Sequence, residues 1–334
     1  MKQQKASLPM AVMAMLAALG WFSSMEAGAQ TTAPIKPAWA YPFLGASPPT
    51  VPNDGVQHQL PGSKLSLTKT EIFDLFTAHD WYPETHPEMP EVVARGRKAS
   101  DVRACGMCHY PNAQGKPENA ALAGLPYEYI VQQMADYKSG KRRSTEPKAG
   151  PQVRMLSTAL NVSDEDVKIA AKYFSSLTYK PWIEVIETDT VPKTEVVIGN
   201  MLAAVEGAGA GTEPIGQRII EIPREYQRVE LRDPTAGFVT YVPKGSIAKG
   251  EQLVQTGGNG KTIACMTCHG PDLKGVGNIP PIAGRPVQYL ARQIFDMKNG
   301  TRKGDAAIAM QPVIQKLSEE DVINILAYVG SRKP

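Results

Sequence analysis

Two segments of the chain carry the same pattern of apolar residues, each directly after a serine that is followed by acidic residues. The serines are Ser163 and Ser318, and acids occupy the next three positions in both copies. A serine caps a helix N-terminus, and acids in the first turn are favoured by the helix dipole. Apolar residues then recur three or four positions apart: Val167, Ala170, Ala171 and Phe174, and Val322, Ile325, Leu326 and Val329. The pattern predicts two amphipathic helices that begin at these serines.

The two helices belong to a longer internal repeat. Identical residues lie 160 positions apart: Gly124/Gly284, Pro126/Pro286, Tyr129/Tyr289, Gln133/Gln293, Asp136/Asp296, Lys138/Lys298, Gly140/Gly300 and Arg142/Arg302. The first copy then carries five extra residues, and the match resumes at Met155 and Met310, each eight residues before its serine. The repeat predicts two mainly helical units, each with a middle helix from about Pro126 or Pro286, a loop carrying the methionine, and a closing helix.

Two segments lie outside the repeat. Residues 178–246 join the units and are too long for a simple linker. Their β-like runs, broken by a loop at 207–211, predict a small β-rich element, with strands near 182–186, 194–198, 218–222 and 237–242. We expect this connecting segment to brace the units; a docking surface for a partner is the alternative. Residues 30–90 form an extension rich in proline and aromatic residues, which we expect to wrap over the first unit with one short helix near 67–78.

The N-terminus has the pattern of a secretory signal peptide. Lys2 and Lys5 precede an apolar run over 8–22, and the small residues Ala27, Gly28 and Ala29 supply a cleavage site. We therefore expect residues 1–29 to be removed and the mature chain to be exported to the periplasm, with no transmembrane segment; an uncleaved anchor is the alternative. The net charge of +3 is too small to favour nucleic acid or an anionic membrane as a partner.

All four cysteines of the chain fall in two C-x-x-C-H motifs. The first comprises Cys105, Cys108 and His109, and the second comprises Cys265, Cys268 and His269. Two thiols about one helical turn apart reach the two vinyl groups of a haem, and the adjacent histidine supplies a proximal iron ligand. Zinc would need more thiolates or histidines grouped together, and a redox dithiol does not require the histidine. The motifs therefore predict two covalently attached c-type haems.

Met155 and Met310 are the predicted sixth ligands of the two irons. A thioether is a soft ligand that favours ferrous iron and raises the reduction potential. The chain has 13 methionines, and these two stand out because they correspond across the repeat. The alternative is that both fill gaps in the core. For the first haem, one of His58, His79 and His86, all upstream of the first motif, is a further alternative ligand.

The order of these features resembles class I c-type cytochromes, and their tandem arrangement is similar to the dihaem periplasmic members of that class. The resemblance covers 91–177 and 247–334, and it implies two class I cytochrome c-like domains, with His109 and His269 as proximal ligands and Met155 and Met310 as distal ligands. The family places a proline before the middle helix, whose carbonyl fixes the proximal histidine ring. The second unit has Pro280-Pro281 there, whereas the first has Ala120-Ala121. Arg142 and Arg302 are candidate partners of the haem propionates, or else solvated surface residues.

The function expected from these features is single-electron transfer between redox partner proteins, such as a dehydrogenase donor and an oxidase or cytochrome acceptor. An iron with two protein ligands has no position left for a substrate, so we expect a carrier rather than an enzyme. Basic residues near the first haem would guide an acidic partner, or form a solvated face: Lys138, Lys141, Arg142, Arg143 and Lys148. A dihaem peroxidase with one open iron is the alternative.

Overall fold

The computed structural model describes Met1, residues 33–45 and residues 55–334. The signal peptide predicted over 1–29 lies, apart from Met1, outside the described residues. Within the described part of the chain, no helix is both long and apolar enough to cross a membrane.

The N-terminal extension packs on both units, not on the first alone as expected from the sequence. Its helices are short, namely α1 (Lys69–Ile72) and a 3-10 turn at Pro83–Thr85, and the first unit then begins with α2 (Glu91–Ala94) and a 3-10 turn at Lys98–Ser100. The part from residue 57 onward forms its own small core and then joins that of the first unit. Trp39 and Tyr41, by contrast, are buried in the core of the second unit. Trp39 Nε1 donates to Glu319 Oε1 at 2.7 Å, and Tyr41 Oη donates to Asp296 Oδ1 at 2.8 Å.

The helices of the first unit include those predicted from the repeat and one around Met155, which the repeat did not predict. They are α3 (Cys105–His109), α4 (Tyr127–Lys138), α5 (Gly150–Asn161) and α6 (Asp164–Ser176). Pro126 is the N-cap of the middle helix α4, and Ser163 caps the closing helix α6 by accepting a hydrogen bond from the Asp166 N–H. Met155 was expected in a loop, but it lies in the second turn of α5. The five extra residues of this copy fall before α5, which is longer than the matching helices of the second unit.

The connecting segment forms a β-rich element, as predicted. Its elements are β1 (Ile183–Thr188), β2 (Thr190–Pro192), β3 (Thr194–Val197), β4 (Met201–Ala204), β5 (Thr212–Pro214), β6 (Ile220–Pro223), α7 (Tyr226–Glu230) and β7 (Phe238–Pro243). The strands form a sheet of order β1-β7-β6, in which β1 and β7 are parallel, and two antiparallel pairs, β2-β5 and β3-β4. Trp182 and Phe238 lie in the core of the first unit and Ile219 and Val242 in that of the second, so the segment braces both.

The second unit repeats this arrangement with one additional long helix. Its helices are α8 (Ser246–Gly260), α9 (Met266–His269), α10 (Val287–Lys298), α11 (Asp305–Ile308), α12 (Gln311–Ile314) and α13 (Glu319–Ser331). Pro286 is the N-cap of the middle helix α10, and Ser318 forms a full capping box with Asp321 at the start of α13. α8, which the sequence pattern did not predict, packs along α13. Gly250 permits this approach, because a Cβ there would lie 1.9 Å from the Asn324 carbonyl oxygen.

The two units meet through equivalent surfaces. Arg142 and Arg302 form an isolated antiparallel bridge, flanked by hydrogen bonds from Arg143 N to Thr301 O at 2.8 Å and from Lys303 N to Lys141 O at 2.7 Å. Because each residue of this bridge faces its own repeat partner, the interface has local pseudo-two-fold symmetry.

Candidate haem sites

The histidine of the first motif is held in a fixed orientation by a backbone carbonyl. His109 ends the short helix α3, and its Nδ1 lies 2.8 Å from the carbonyl oxygen of Ala120. A carbonyl only accepts hydrogen bonds, so Nδ1 carries the proton and Nε2 keeps a free lone pair. Burial, the largest effect, lowers the pKa of His109 to about 4, which keeps the ring neutral at physiological pH.

The second motif has the same geometry. His269 Nδ1 lies 2.9 Å from the carbonyl oxygen of Pro280, and burial lowers the pKa of this histidine as well. The carbonyl of Ala120 therefore does for His109 what the proline carbonyl does for His269, although alanine does not restrict the backbone as proline does. Each ring is fixed through one nitrogen and offers the other.

A continuous cavity of about 380 Å³ is lined by both motifs. All four cysteines and both histidines of the motifs line it, together with Met155 and Met310. Of the cysteines, Cys268 alone is exposed. Burial raises the pKa of the Cys105 thiol to about 12 and that of Cys265 to about 11. Among residues 33–45 and 55–334, no group of three or more histidine, cysteine or acidic side chains gathers to hold a metal ion. The donor set fits two haems attached through thioethers.

Arg142 and Arg302 are buried at the interface, so their interpretation as solvated surface residues is wrong. They are 7% and 8% exposed and line the cavity. Arg142 Nη2 donates to Tyr289 Oη at 2.8 Å and to Gln293 Oε1 at 3.1 Å. Arg302 makes the equivalent bonds in the opposite direction, at 2.9 Å to the phenol of the first unit and 3.0 Å to its glutamine. Each guanidinium thus crosses into the other unit and keeps its charge beside the cavity.

Comparison with known proteins places this site in a family. The sequence model described as Cytochrome c matches residues 93–178 and 247–333, which together make up more than half of the chain. The chain belongs to the cytochrome c family. The matched cytochrome c ranges each contain one C-x-x-C-H motif and one of the two corresponding methionines.

Similar proteins include dihaem cytochromes. A cytochrome c4 of Pseudomonas aeruginosa is 26% identical over 231 residues, which cover 67% of this chain and 82% of the relative. A thiosulfate dehydrogenase electron acceptor of Stutzerimonas stutzeri is 24% identical over 244 residues, covering 72% of this chain and 84% of that protein. The crystal structure of reduced cytochrome c4 from Pseudomonas stutzeri covers 71% of this chain and 99% of its own, with 22% identity and a TM-score of 0.44. The tandem cytochrome c units carry two covalently attached c-type haems and serve electron transfer.

The histidines upstream of the first motif do not line the haem cavity. His86 is engaged elsewhere: its Nε2 lies 3.2 Å from Asp80 Oδ2, and its Nδ1 lies 3.0 Å from Tyr173 Oη. His79 faces a separate small cavity beside Trp81. In this structure Met155 lies at the haem cavity and the alternative histidines do not.

The two haem units of the cytochrome differ in how far the loop after the motif histidine is covered. In the first unit, residues 110–118 are buried, except for the half-buried Asn112. In the second unit, residues 271–279 are exposed, except for Leu273 and Gly275. The connecting segment covers the first loop; for example, Asn112 Nδ2 donates to the carbonyl of Pro234 at 2.9 Å. The sequence repeat did not reveal this difference, because the covering residues lie outside it.

The basic residues near the first haem do not form an open cationic surface. Lys138 Nζ pairs with Asp164 Oδ1, and Lys141 Nζ lies 2.9 Å from Asp305 Oδ1. Arg142 is buried, and Arg143 donates to two backbone carbonyls at 2.7 Å. Lys148 alone of the five is exposed without such a contact among the described residues. Surface ion pairs of this kind neutralise much of the charge that would steer an acidic partner.

Sequence reasoning also missed a buried arginine beside the first site. Arg285 is 5% exposed and lines the cavity, but the equivalent residue of the first unit is Leu125. A residue without a match in the repeat gives no signal that it contributes to a site. The departure from the repeat was itself the available signal, because a charge replacing a core leucine needs buried partners.

Proposed function

We propose that this cytochrome passes single electrons between redox partner proteins outside the cytoplasm through two histidine/methionine-ligated haems. Cys105 and Cys108 would bind one haem and Cys265 and Cys268 the other. His109 and His269 would be the proximal ligands, with Met155 and Met310 as the distal ligands. The observation that carries the proposal is that each cavity-lining histidine has Nδ1 fixed by a carbonyl, while a methionine at the corresponding position of each unit lines the same cavity.

The protein residues would tune and protect the redox centres rather than perform a reaction. Haem iron supplies the one-electron change between ferrous and ferric states when bound. The Nδ1–H···O=C bonds orient the proximal rings and raise the basicity of Nε2. Apolar residues of α4, α6, α10 and α13 line the cavity and exclude water; they include Ile130, Phe174, Leu290 and Leu326. With a histidine and a methionine both bound to each iron, no ligand position would remain for a substrate.

Arg142 and Arg302 would neutralise haem propionates at the interface between the units. Both guanidiniums line the cavity, and both now donate to neutral glutamine and tyrosine oxygens. A carboxylate is a stronger partner for a guanidinium than a neutral oxygen is, and it matches the fork geometry. Since each arginine reaches into the other unit, such pairs would connect the two haem sites.

The partners are proposed from the relatives. Two of the similar proteins are named thiosulfate dehydrogenase electron acceptor, which describes those proteins as taking electrons from a dehydrogenase. We infer a dehydrogenase donor for this chain too, with an oxidase or another cytochrome as acceptor. The N-terminal pattern at 1–29 supports export to the periplasm.

Absorption and EPR spectra of the oxidised holoprotein test the ligand assignment. We expect two low-spin haems, both with the far-red methionine–iron band and neither reactive with peroxide. Met155→Ala and Met310→Ala should each remove the band of one haem. Met134→Ile is the matched control, because Met134 lines the same cavity and isoleucine occupies its equivalent position, 294. A high-spin haem that reacts with peroxide in the wild-type protein would instead indicate the peroxidase alternative.

A further inference from the structure

The Ala120 carbonyl that orients His109 lies in a stretch of chain without a proline to restrict its backbone. Ala120 and Ala121 stand where the second unit has Pro280 and Pro281. The backbone fold is nevertheless the same: Leu122 N donates to Ala113 O at 2.9 Å, and Ile282 N donates to Leu273 O at 2.8 Å. Proline fixes φ and leaves few alternative conformations, whereas two alanines leave many. Something else must hold the Ala120 carbonyl in place.

Arg285 of the second unit forms hydrogen bonds to the backbone of this stretch. Its Nη1 donates to the carbonyl of Ala121 at 2.9 Å, and its Nη2 donates to the carbonyl of Ala123 at 2.8 Å. The guanidinium also lies over the ring of Tyr179, 4.6 Å from the centroid. Both hydrogen bonds have a charged donor and are buried, so they are among the stronger bonds available to a backbone. The fork spans the residues immediately after Ala120.

A second arginine of the same unit holds the other side of the stretch. Arg292 lies on α10, is 6% exposed, and donates through Nη2 to the carbonyl of Pro117. Its Nη1 donates to the carbonyl of Ala40 at 3.0 Å. The segment 117–123, which contains the Ala120 carbonyl, is therefore bound at both ends by buried guanidiniums from the second unit.

The second unit binds this stretch of the first unit, but the first unit makes no equivalent bonds through the corresponding residues. The repeat equivalents of Arg285 and Arg292 are Leu125 and Gln132. Leucine has no donor, and Gln132 Nε2 donates to Asp136 Oδ1 within its own helix at 2.9 Å. In the second unit, prolines restrict the corresponding stretch. In the first unit, hydrogen bonds from the arginines of the second unit take their place.

We propose that Arg285 is a positioning residue for the first haem: it acts across the interface to fix the Ala120 carbonyl that orients His109, in place of the prolines of the second unit. Arg292 supports it from the other side. The inference rests on the proposed function, because it takes His109 as an iron ligand. It makes the electronic properties of the first haem depend on contact with the second unit.

The physical consequence concerns the strength of the Nδ1–H···O=C bond. A firm bond makes the imidazole a more basic ligand, which stabilises ferric iron and lowers the reduction potential. A mobile carbonyl weakens the bond and frees the ring to rotate. Loss of the hydrogen bonds from Arg285 is therefore expected to raise the reduction potential of the first haem and to change the orientation of the His109 imidazole. The loss of a positive charge beside the cavity acts oppositely on the potential, so the comparison must be made at constant charge.

The experiment compares Arg285→Leu with the triple variant Arg285→Leu, Ala120→Pro, Ala121→Pro, both as oxidised holoproteins. Proton NMR of the paramagnetically shifted haem methyl groups reports the axial ligand orientation at each haem, and resonances of the second haem are assigned by their change in Met310→Ala. We expect Arg285→Leu to alter only the methyl pattern of the first haem. The two added prolines should restore that pattern and lower the potential of the first haem relative to Arg285→Leu, with no difference in charge.

Tyr179→Phe is the matched control. It removes the hydrogen bond from Tyr179 Oη to the Gly284 carbonyl, 3.0 Å long, at the same interface but leaves the bonds to Ala121 and Ala123. Both methyl patterns should stay unchanged. An unchanged first haem in Arg285→Leu, an equal change in both haems, or no restoration by the prolines overturns the inference. Should Arg285→Leu fail to mature, Arg285→Lys, which keeps the charge but loses the fork, supports the same comparison. Failure of the proposed function would already appear in the wild-type spectrum as the absence of histidine/methionine ligation.

Discussion

Buried charged groups outside the haem cavity connect the parts of this molecule residue by residue. Glu221, on β6 of the connecting segment, is fully buried and accepts hydrogen bonds from the N–H groups of Val287 and Gln288 at 3.1 and 2.7 Å. Thr240 Oγ1 donates a third bond at 3.2 Å. The carboxyl group therefore satisfies the first N–H groups of α10, the middle helix of the second unit.

Glu221 should make folding stability depend on pH. Burial raises its pKa from 4.5 to about 7, although the hydrogen bonds from Gln288 and Val287 oppose the shift. A folded state that holds this proton more tightly than the unfolded state loses stability as the pH rises from about 4.5 to about 7. The loss from this one group is at most about 3 kcal/mol. We expect Glu221→Gln to flatten the pH dependence of the free energy of unfolding in this window, measured by denaturant titration of the holoprotein.

The exposed Glu251 of α8 provides the control for this prediction. Glu251→Gln should retain the wild-type pH dependence, because that carboxyl group is solvated in both states. A Glu221→Gln variant that keeps the full slope between pH 4.5 and 7 would show that other groups produce it.

At the residue scale, the sequence could predict the groups proposed to carry the chemistry but not the groups that support them. The C-x-x-C-H motifs were recognisable because their spacing is set by the haem itself, and the two methionines because each lies eight residues before its capping serine. Arg285 and Glu221 were not, since each interacts with residues far away in the chain and neither has a counterpart in the other unit. The burial of Arg142 and Arg302 was equally invisible, because it depends on how the two copies meet.

The helices that the sequence predicted best are those with local signals at their ends. Ser163 and Ser318 mark the starts of α6 and α13, and Pro126 and Pro286 those of α4 and α10. The long helix α8 was missed because it begins after Gly245 without a side-chain cap and ends in three residues of positive φ at 257–259. Met155 was placed in a loop because the repeat, not the helical pattern, guided that prediction. Such elements are fixed by tertiary packing rather than by local sequence.

The capping serines should contribute directly to stability. Ser163 Oγ accepts from Asp166 N at 3.1 Å, and Ser318 Oγ accepts from Asp321 N at 3.2 Å. Replacing a serine N-cap with alanine leaves one of the first helical N–H groups without its partner and costs about 1 kcal/mol. We expect Ser163→Ala and Ser318→Ala each to lower the free energy of unfolding by about that amount, measured by denaturant titration with haem absorbance as the signal.

Ser176, in the last turn of α6, tests whether these losses come from the cap. Its hydroxyl donates to the carbonyl of Tyr173 at 2.8 Å, and the residue is exposed. Ser176→Ala should change the free energy of unfolding by less than about 0.5 kcal/mol. Equal losses in all three variants would mean that hydroxyl removal, not capping, is being measured.

At the scale of the whole molecule, a repeated sequence has produced two unequal halves. The repeat predicted two similar units, and the β-like runs within 178–246 correctly predicted a β-rich element between them. It did not predict that Trp39 and Tyr41 pack in the core of the second unit or that the connecting segment covers the loop at 110–118 of the first. These contacts join parts of the chain more than 100 residues apart, such as Tyr41 with Asp296 and Asn112 with Pro234. No periodic pattern encodes such pairings.

This inequality predicts that small redox reagents react faster with the second haem than with the first. The loop after His269 is open to solvent, with Val276 57% and Ile279 37% exposed, whereas Lys116 and Glu118 at the equivalents of 276 and 278 are 6% and 5% exposed. Electron transfer slows steeply as the separation between reagent and haem grows, so covering one loop should slow the reaction at that haem. Rapid transfer between the haems would hide the difference in the wild-type protein.

Two variants would remove that complication, because under the proposed ligation each would leave one histidine/methionine haem. Met155→His should lower the potential of the first haem and Met310→His that of the second, since replacing the thioether with imidazole favours ferric iron. A mild small reductant, mixed in a stopped-flow spectrometer, then reduces only the remaining haem. We expect a several-fold larger second-order rate constant for Met155→His, where the exposed second haem reacts, than for Met310→His. Equal rate constants would mean that reagents reach the first haem by a path that the connecting segment leaves open. The contacts that cover residues 110–118 would then serve stability rather than restrict access to the haem.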